Sequence, residues 1–386
     1  MRDARFDEDR LSRALAGRRI LLTGHTGFKG GWLALWLRRL GADTTAVALL
    51  PRDREPSFFE AVGVAELVDH RVCDIRDETA FLRAVEDCDP HLVIHMAAQA
   101  LVRPSYATPV ETLHTNVVGT AVVLEAARRF PSLKGAIVVT SDKCYENRGW
   151  PWGYRETDRL GGSDPYSMSK ACAELVVEAY RRSFFRESGS PILTTVRAGN
   201  VFGGGDWATD RLVPDIVRAV EAGKPAHIRN PASVRPWQHV LEPLAGYLML
   251  AAGLVEGDRS LEGAWNFGPD PEAAVDVAAL AALLESAWGQ RSPKFMFGEA
   301  NNAPPEAHVL HLDSAKARSA LGWRPRLALG EAVALTVEWY KAALDGNHRL
   351  RLLSERQIDR YVRGVRPLQP AGPSFDPVFG VAAACA

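Results

Sequence analysis

The hydrophobic and polar positions in the first half of the chain alternate between short apolar runs and longer, charged, helix-like segments. Six runs have the β-branched and apolar character of buried strands: RILLTG, TTAVALL, ELVDHRVCD, HLVIHMAA, GAIVVTS and ILTTVRAGNVFG. This alternation is typical of βαβ units, whose strands form a parallel sheet covered by helices. The pattern therefore predicts an α/β fold of the Rossmann type, with a doubly wound parallel sheet.

Beyond about Gly203 the strand rhythm weakens, and turn-rich segments such as GGGDWATDRL and FGPDPEAAV interrupt shorter helical patterns. We therefore expect a smaller C-terminal α/β lobe that binds substrate. The predicted parts are an N-terminal extension over residues 1–18, the Rossmann domain over residues 19–203, the substrate lobe over residues 204–362 and a tail over residues 363–386. Some of the chain in the range 204–362 is expected to return to the Rossmann core.

The first apolar run turns through three glycines into a helix. Gly24, Gly27 and Gly30 follow the strand, and Trp32 and Trp36 then share one helical face. Glycines at such a turn let the backbone approach a pyrophosphate, and the N-terminus of the helix favours its negative charge. Three glycines alone are weak support, but a strand before them and a helix after them predict a dinucleotide site.

A second group of reactive residues follows the fifth apolar run. Tyr166 and Lys170 are four residues apart, so a helix places both side chains on one face. A tyrosine has a pKa of about 10 and is a poor base at neutral pH, but a nearby ammonium favours the phenolate. Ser141 ends the run GAIVVTS, and Asp142 and Lys143 follow it directly, at the sheet edge where ligands bind in parallel α/β folds.

The G-x-x-G-x-x-G turn, the Y-x-x-x-K pair and the hydroxyl at the strand end together resemble the extended short-chain dehydrogenase/reductase superfamily. The resemblance implies NAD as the cofactor, Tyr166 as the base, Lys170 as its tuner and ribose anchor, and Ser141 as the hydroxyl residue that hydrogen-bonds the reacting oxygen. The implied cofactor-binding residues are Gly24, Thr26, Gly27, Phe28, Lys29, Gly30, Asp74, Ile75, Ala97, Ala98, Gln99, Asn116, Thr140, Tyr166 and Lys170. NADP stays open, because the second run ends on Leu50, Pro51 and Arg52, with Arg54 close by, and not on an acidic residue.

Asp142 and Lys143 occupy the two positions where sugar-nucleotide 4,6-dehydratases carry an acid and a base. Most of these enzymes have a glutamate as the base, and the lysine resembles one group, the CDP-glucose 4,6-dehydratases. A lysine accepts a proton only when neutral, and burial or a neighbouring cation favours that form. The resemblance covers roughly residues 19–339 and implies CDP-glucose as substrate, with contacts from Arg103, Asn200, Arg211, Arg235 and His239. A solvated surface charge is the alternative reading of Arg103 and Arg211.

Composition narrows the remaining classes of function. The formal net charge of −1 gives no basic excess for binding nucleic acid, and no apolar run is long enough to span a membrane. Five widely spaced cysteines predict a cytoplasmic protein with reduced thiols. His308 and His311 lack a third ligand, so no metal site is expected.

The superfamily resemblance implies a homodimer or a dimer of dimers. Three alternatives stay open: an NAD-dependent epimerase, a dehydratase acting on another nucleotide sugar, and a dinucleotide-binding regulator without turnover.

Overall fold

The computed structural model describes residues 6–51, 56–270, 273–289, 292–298 and 310–364 of the chain. The strands, in chain order, are β1 Arg19–Thr23, β2 Asp43–Ala48, β3 Asp69–Val72, β4 Leu92–His95, β5 Gly135–Val139, β6 Ile192–Ala198, β7 Val201–Phe202, β8 Ala226–Ile228, β9 Val234–Pro236, β10 Gln238–His239, β11 Gly263–Phe267, β12 Ala274–Asp276 and β13 Phe295–Phe297. Each of the six apolar runs contains a strand, so that part of the prediction is confirmed.

The helices cover both faces of the sheet and build much of the second lobe. They are α1 Glu8–Leu15, α2 Phe28–Arg39, α3 Phe58–Val62, α4 Glu78–Ala84, α5 Val102–Ala107, α6 Pro109–Leu113, α7 Gly119–Ala127, α8 Pro165–Phe184, α9 Leu212–Glu221, α10 Leu241–Glu256, α11 Val277–Trp288, α12 Leu329–Leu344 and α13 Leu350–Arg363. Short 3₁₀ turns span Val64–Glu66, Asp142–Cys144 and Arg259–Leu261, and π-helical turns span His114–Val118 and Ala317–Leu321.

The central sheet has seven strands in the order β11-β6-β5-β4-β1-β2-β3, and all of its neighbouring pairs are parallel. The order reverses between β1 and β4, which lie side by side in the middle of the sheet. A doubly wound sheet opens a crevice beyond the carboxyl ends of its strands at this reversal. The predicted Rossmann-type α/β fold is confirmed.

Part of the chain beyond residue 203 returns to this sheet. β11 pairs in parallel with β6 and places Trp265 opposite Val196. α10 packs behind the same strands and buries nearly all of its length. The chain beyond residue 203 therefore contributes both to the sheet core and to the second lobe.

The N-terminal extension also packs on the core. Asp7 caps α1 by accepting a hydrogen bond from the Arg10 backbone N–H at 2.9 Å. Leu11 and Leu15 are buried, and α1 contacts α10. Glu8 lies 2.8 Å from the Arg39 guanidinium on α2. The first helix therefore covers apolar surface that the Rossmann core would otherwise expose.

The second lobe is built around short strands and the helices α9 and α11. β9 pairs antiparallel with β12, and β8 pairs in parallel with β13. Of the helices in the described part of the chain, none combines the length and the apolar character needed to cross a bilayer.

Candidate active site

A cavity of roughly 670 Å³ lies between the carboxyl ends of the strands and the second lobe. It brings together most of the residues that the sequence assigned to a site. Those that line it are Gly24, Thr26, Gly27, Phe28, Lys29, Gly30, Asp74, Ile75, Ala97, Ala98, Gln99, Arg103, Thr140, Ser141, Asp142, Lys143, Tyr166, Lys170, Asn200, Arg211 and Arg235. Asn116 and His239 do not line it.

Two glycines of the turn between β1 and α2, Gly24 and Gly30, have no room for a side chain. Gly24 adopts a φ of +82°, and a Cβ there would lie 2.6 Å from the Ala97 backbone nitrogen. A Cβ on Gly30 would lie 2.1 Å from the Gly24 carbonyl oxygen. Gly27 begins α2 without a side-chain cap, so the first N–H groups of the helix are available to an anion. The turn therefore fits the pyrophosphate of a dinucleotide.

Lys29 is a half-buried lysine on the first turn of α2. Its ε-amine donates a hydrogen bond to the Tyr247 hydroxyl at 3.1 Å. Burial lowers the pKa of Lys29 to about 7, and the positive charges of Arg211 and Lys170 act in the same direction. This amine therefore titrates close to neutral pH, in the wall of the cavity.

The far end of the cavity carries Asp74, in the position predicted for the adenine. Its carboxylate accepts hydrogen bonds from the Arg76 backbone at 2.9 Å and the Arg76 guanidinium at 2.6 Å. These bonds lower the pKa of Asp74, so the carboxylate stays ionised. Arg52 and Arg54, which keep NADP open in the sequence, lie outside the described residues.

Asn116 acts behind the cavity wall and not in it. It lies in the π-helical turn, a distortion that often occurs at functional sites. Its side-chain oxygen accepts a hydrogen bond from the Gln99 N–H at 2.8 Å, and its amide donates to the Gln99 carbonyl at 2.9 Å and to Ser169 Oγ at 2.8 Å. Asn116 therefore fixes the backbone at Gln99, which does line the cavity.

Tyr166 lies on the first turn of α8, which Asp164 caps by accepting a hydrogen bond from the Ser167 N–H at 2.9 Å. Burial raises the pKa of Tyr166 to about 12, and a hydrogen bond with Ser141 opposes that shift. The sequence predicts that Tyr166 acts as a phenolate. For this form to be present near neutral pH, positive charges must lower the pKa of Tyr166 by more than burial raises it. Lys170 and an oxidised nicotinamide are the expected sources.

Lys170 is buried one turn further along α8. Its ε-amine donates a hydrogen bond to the Val139 carbonyl at 3.2 Å, at the end of β5. Burial lowers the pKa of Lys170 to about 8, while the Glu174 carboxylate raises it. At neutral pH the amine therefore keeps its proton and can supply positive charge to the site.

The acid and base candidates lie on the 3₁₀ turn that follows β5. Ser141 caps this turn by accepting a hydrogen bond from the Lys143 N–H at 3.2 Å, and its hydroxyl donates to Asp142 Oδ1 at 3.0 Å. Burial raises the pKa of Asp142, against the charges of Lys143 and Arg235. Asp142 is therefore suited to carry a proton as an acid. Lys143 is half-buried and lines the same cavity.

The end of the cavity near the second lobe is rich in arginine. Arg211 lies 2.9 Å from the buried Asp206 carboxylate, and Arg103 lies 2.9 Å from Asp210. Arg235 lines the same end, and so does Arg229, which the sequence reasoning missed. One guanidinium group can donate two parallel hydrogen bonds to two oxygens of a phosphate, so this end of the cavity fits a nucleoside diphosphate.

His239 is buried behind the cavity and does not reach it. Its ring packs edge-on against Trp32, at 6.2 Å between centroids, and against Phe202, at 6.3 Å. Burial lowers the pKa of His239 to about 3, so the ring is neutral. The structure therefore does not place His239 at the predicted substrate contact, because its side chain is fully buried in the core and is not part of the cavity lining.

Two buried charged residues behind Ser141, Asp142 and Lys143 were not predicted from the sequence. Glu174 and Arg197 form an ion pair at 2.8 Å. Arg197 stands in the otherwise uncharged run ILTTVRAG, and Glu174 follows Lys170 by one helical turn. A charge inside a buried strand was the available signal, because such a charge needs a partner.

No cluster of three or more His, Cys, Asp or Glu side chains is arranged to hold a metal ion in the described ranges. Of the histidine pair weighed for a metal, His308 lies outside those ranges.

Comparison with known proteins decides the family of the chain. The profile of the GDP-mannose 4,6 dehydratase family matches residues 21–336. The chain belongs to this family. The match confirms the predicted resemblance to sugar-nucleotide dehydratases.

Individual relatives are similar over nearly their full lengths. A CDP-glucose 4,6-dehydratase of Salmonella typhimurium is 48% identical, across 90% of this chain and 96% of the relative. The solved structure of MoeE5 in complex with UDP-glucose and NAD is 25% identical, with a TM-score of 0.69, over 84% of this chain and 99% of that one. DesIV, a dTDP-glucose 4,6-dehydratase from Streptomyces venezuelae solved with NAD bound, is 23% identical and has a TM-score of 0.72 over 86% of this chain and 99% of that one.

Proposed function

We propose that this protein is an NAD-dependent CDP-glucose 4,6-dehydratase that forms CDP-4-keto-6-deoxy-D-glucose, a precursor of the dideoxy sugars of surface polysaccharide. One observation carries the proposal: Asp142 and Lys143 directly follow Ser141 and line the same cavity as Tyr166 and Lys170. Oxidation alone requires only the hydroxyl, the tyrosine and the lysine of the superfamily pattern. The additional acid and base are what the removal of water requires.

The first group of residues acts at C4 of the sugar. When bound, NAD would supply the hydride chemistry for oxidation at C4 and reduction at C6. Tyr166 takes the proton of the C4 hydroxyl, and Ser141, which hydrogen-bonds Tyr166, holds the same oxygen. The Lys170 ammonium stabilises the negative charge that Tyr166 carries before it accepts this proton.

The second group acts at C5 and C6. A ketone at C4 makes the neighbouring C5 hydrogen acidic, and Lys143 removes it. Asp142, whose pKa burial raises, gives a proton to the departing C6 hydroxyl. Reduction at C6 is completed when Lys143 returns the proton to C5, and the proton that Tyr166 took from the C4 hydroxyl replaces the one that Asp142 gave. The net reaction is therefore the loss of one water, with no net oxidation or reduction.

The nucleotide is held at the arginine-rich end of the cavity. Arg103, Arg211 and Arg235 bind the diphosphate, and Asn200, which lines the same cavity, contacts the substrate. The choice of cytosine rests on the 48% identity to the Salmonella enzyme, and the choice of NAD rests on the cofactor in MoeE5.

The test is to incubate the purified protein and NAD with CDP-glucose, dTDP-glucose, UDP-glucose and GDP-glucose in separate reactions. We expect CDP-glucose to lose one water, seen by mass spectrometry, at least tenfold faster than the others, because loss of a buried base contact costs about 1.4 kcal/mol or more. An epimerase would convert a substrate without loss of mass, and a regulator would convert none. A faster reaction with another nucleotide sugar would replace CDP-glucose in the proposal.

The proposal includes a homodimer joined through the helices around the catalytic tyrosine. Large apolar side chains are exposed on α6, the π-helical turn and α8: Val110, Leu113, Val118, Met168 and Leu175. Exposed apolar patches of this kind mark interaction surfaces. Sedimentation equilibrium at the mass of one chain would contradict the dimer.

A cytoplasmic location is also part of the proposal. It rests on the widely spaced cysteines, four of which are free thiols in the described part of the chain.

A further inference from the structure

A buried ion pair lies directly behind the acid and base candidates. Arg197 Nε and Nη2 each lie 2.8 Å from a different oxygen of the Glu174 carboxylate, and the two side chains are 3% and 4% exposed. Burying two charges costs desolvation free energy that their attraction only partly offsets, so such a pair is weak support for stability alone. Its contacts indicate what else it does.

The Glu174 carboxylate holds the residue that precedes the catalytic segment, residues 141–144. Thr140 Oγ1 donates a hydrogen bond to Glu174 Oε1 at 2.5 Å, and Thr195 Oγ1 donates to Glu174 Oε2 at 2.7 Å. Thr140 is the residue directly before Ser141. The carboxylate therefore fixes the point at which the chain leaves β5.

The Arg197 guanidinium holds the other end of the same segment. Arg197 Nη1 donates a hydrogen bond to the Tyr145 hydroxyl at 2.7 Å, and that hydroxyl donates to Asn266 Oδ1 at 2.8 Å, on β11. Tyr145 is the second residue after Lys143, and it is 1% exposed. One ion pair therefore contacts the residues on both sides of Ser141, Asp142, Lys143 and Cys144.

The ion pair also connects this segment to the redox residues. Glu174 lies one turn beyond Lys170 and two turns beyond Tyr166 on α8, so all three are on one face of the helix. The Glu174 charge also favours the protonated form of Lys170. Glu174 therefore links the segment that carries Asp142 and Lys143 to the helix that carries Tyr166. This link sets how far the acid and the base lie from the Tyr166 hydroxyl.

We propose that the Glu174–Arg197 ion pair, with Thr140 and Tyr145, is a positioning unit for the removal of water, holding Asp142 and Lys143 in register with the sugar that Tyr166 oxidises. This inference rests on the proposed function, because the sequence of oxidation and elimination gives the unit its role. The unit acts through Asp142 and Lys143 and does not itself touch the substrate.

Tyr145→Phe tests the unit with little disturbance of packing. It keeps the ring, which stacks on Tyr154 at 5.2 Å between centroids, and it leaves Glu174 as the partner of Arg197. We expect water loss to slow about tenfold or more, since a displacement near 1 Å can cost up to about a hundredfold in rate. The KM for CDP-glucose and the rate of C4 oxidation in a single turnover should stay within about twofold.

The readout is the absorbance of reduced nicotinamide during a single turnover. With oxidation intact and elimination slow, this absorbance should accumulate in Tyr145→Phe and then decay, whereas the wild type shows little. A purely structural role would lower the active fraction of protein and slow both steps equally. Tyr154→Phe is the matched control, because its buried hydroxyl bonds Asn147 Oδ1 at 3.0 Å and not the ion pair.

A second pair of variants keeps the inference testable if Tyr145→Phe does not fold. Thr195→Val, which removes a hydrogen bond to Glu174 Oε2 from a residue that does not line the cavity, should show the same accumulation, and Thr195→Ser, which keeps the hydroxyl, should restore the wild-type ratio of the two steps. Equal slowing of oxidation and elimination, or no change in either, would overturn the inference. If the wild type itself forms no dehydrated product, the proposed function fails instead.

Discussion

Tyr166→Phe should lower kcat for the conversion of CDP-glucose by about 10²- to 10⁴-fold, the usual contribution of a general base. The variant removes the oxygen proposed to take the C4 hydroxyl proton, while its ring still fills the same buried position on α8. Because the C5 hydrogen becomes acidic only after C4 is oxidised, its exchange with deuterated water should stop as well. Both effects can be followed by mass spectrometry of the sugar nucleotide.

Tyr180→Phe is the control on the same helix, since Tyr180 packs near Phe184 and does not line the cavity. It should retain wild-type kcat. If Tyr166→Phe kept more than about a tenth of the wild-type rate, Tyr166 would not be the base, and the oxidation would need another proton acceptor.

Lys143→Met should separate oxidation from elimination. Methionine keeps the length of the side chain but cannot accept a proton, so the C5 hydrogen should no longer exchange with deuterated water, and water loss should fall by about 10²-fold or more. Oxidation at C4, measured as the absorbance of reduced nicotinamide, should persist. Lys134→Met, at the exposed residue just before β5, should change neither step. Exchange at the wild-type rate in Lys143→Met would exclude Lys143 as the base.

Asp142→Asn provides the complementary result. Without an acid for the C6 hydroxyl, the variant should still exchange the C5 hydrogen but should lose water slowly. Burial raises the pKa of Asp142, so its carboxyl keeps a proton to higher pH than an ordinary aspartate does. In the wild type, elimination should therefore decline as the pH rises through this raised value. A variant that lost both exchange and elimination would indicate that Asp142 acts before C5 is deprotonated.

The local pattern of the sequence was sufficient for the sheet and for the centre of the site. Apolar runs of strand length, glycines at a turn and a tyrosine and lysine one helical turn apart each report on structure within a few residues. In a parallel sheet the ends of the strands meet at one edge. For that reason Ser141, Tyr166 and Gly24, far apart in the chain, could be assigned to one cavity.

Features that depend on contacts between distant segments could not be predicted from local sequence patterns. β11 is five residues long, and its place beside β6 follows from α10 packing behind the sheet and not from its own pattern. His239 lies in a segment that resembles a substrate-binding one, yet packing against Trp32 and Phe202 keeps it in the core. Arg197 takes its hydrogen-bond partners from three separate segments, at Glu174, Tyr145 and Glu156, so only the structure shows them together.

The central claim is that this protein removes water from the sugar by oxidising C4 and returning the hydrogen taken from C4 to C6. CDP-glucose carrying deuterium at C4 tests it most directly. The account predicts a product lighter by one water, with the deuterium at C6 and no net reduction of NAD. A product that has lost the deuterium to solvent, or a sugar nucleotide of unchanged mass, would contradict it.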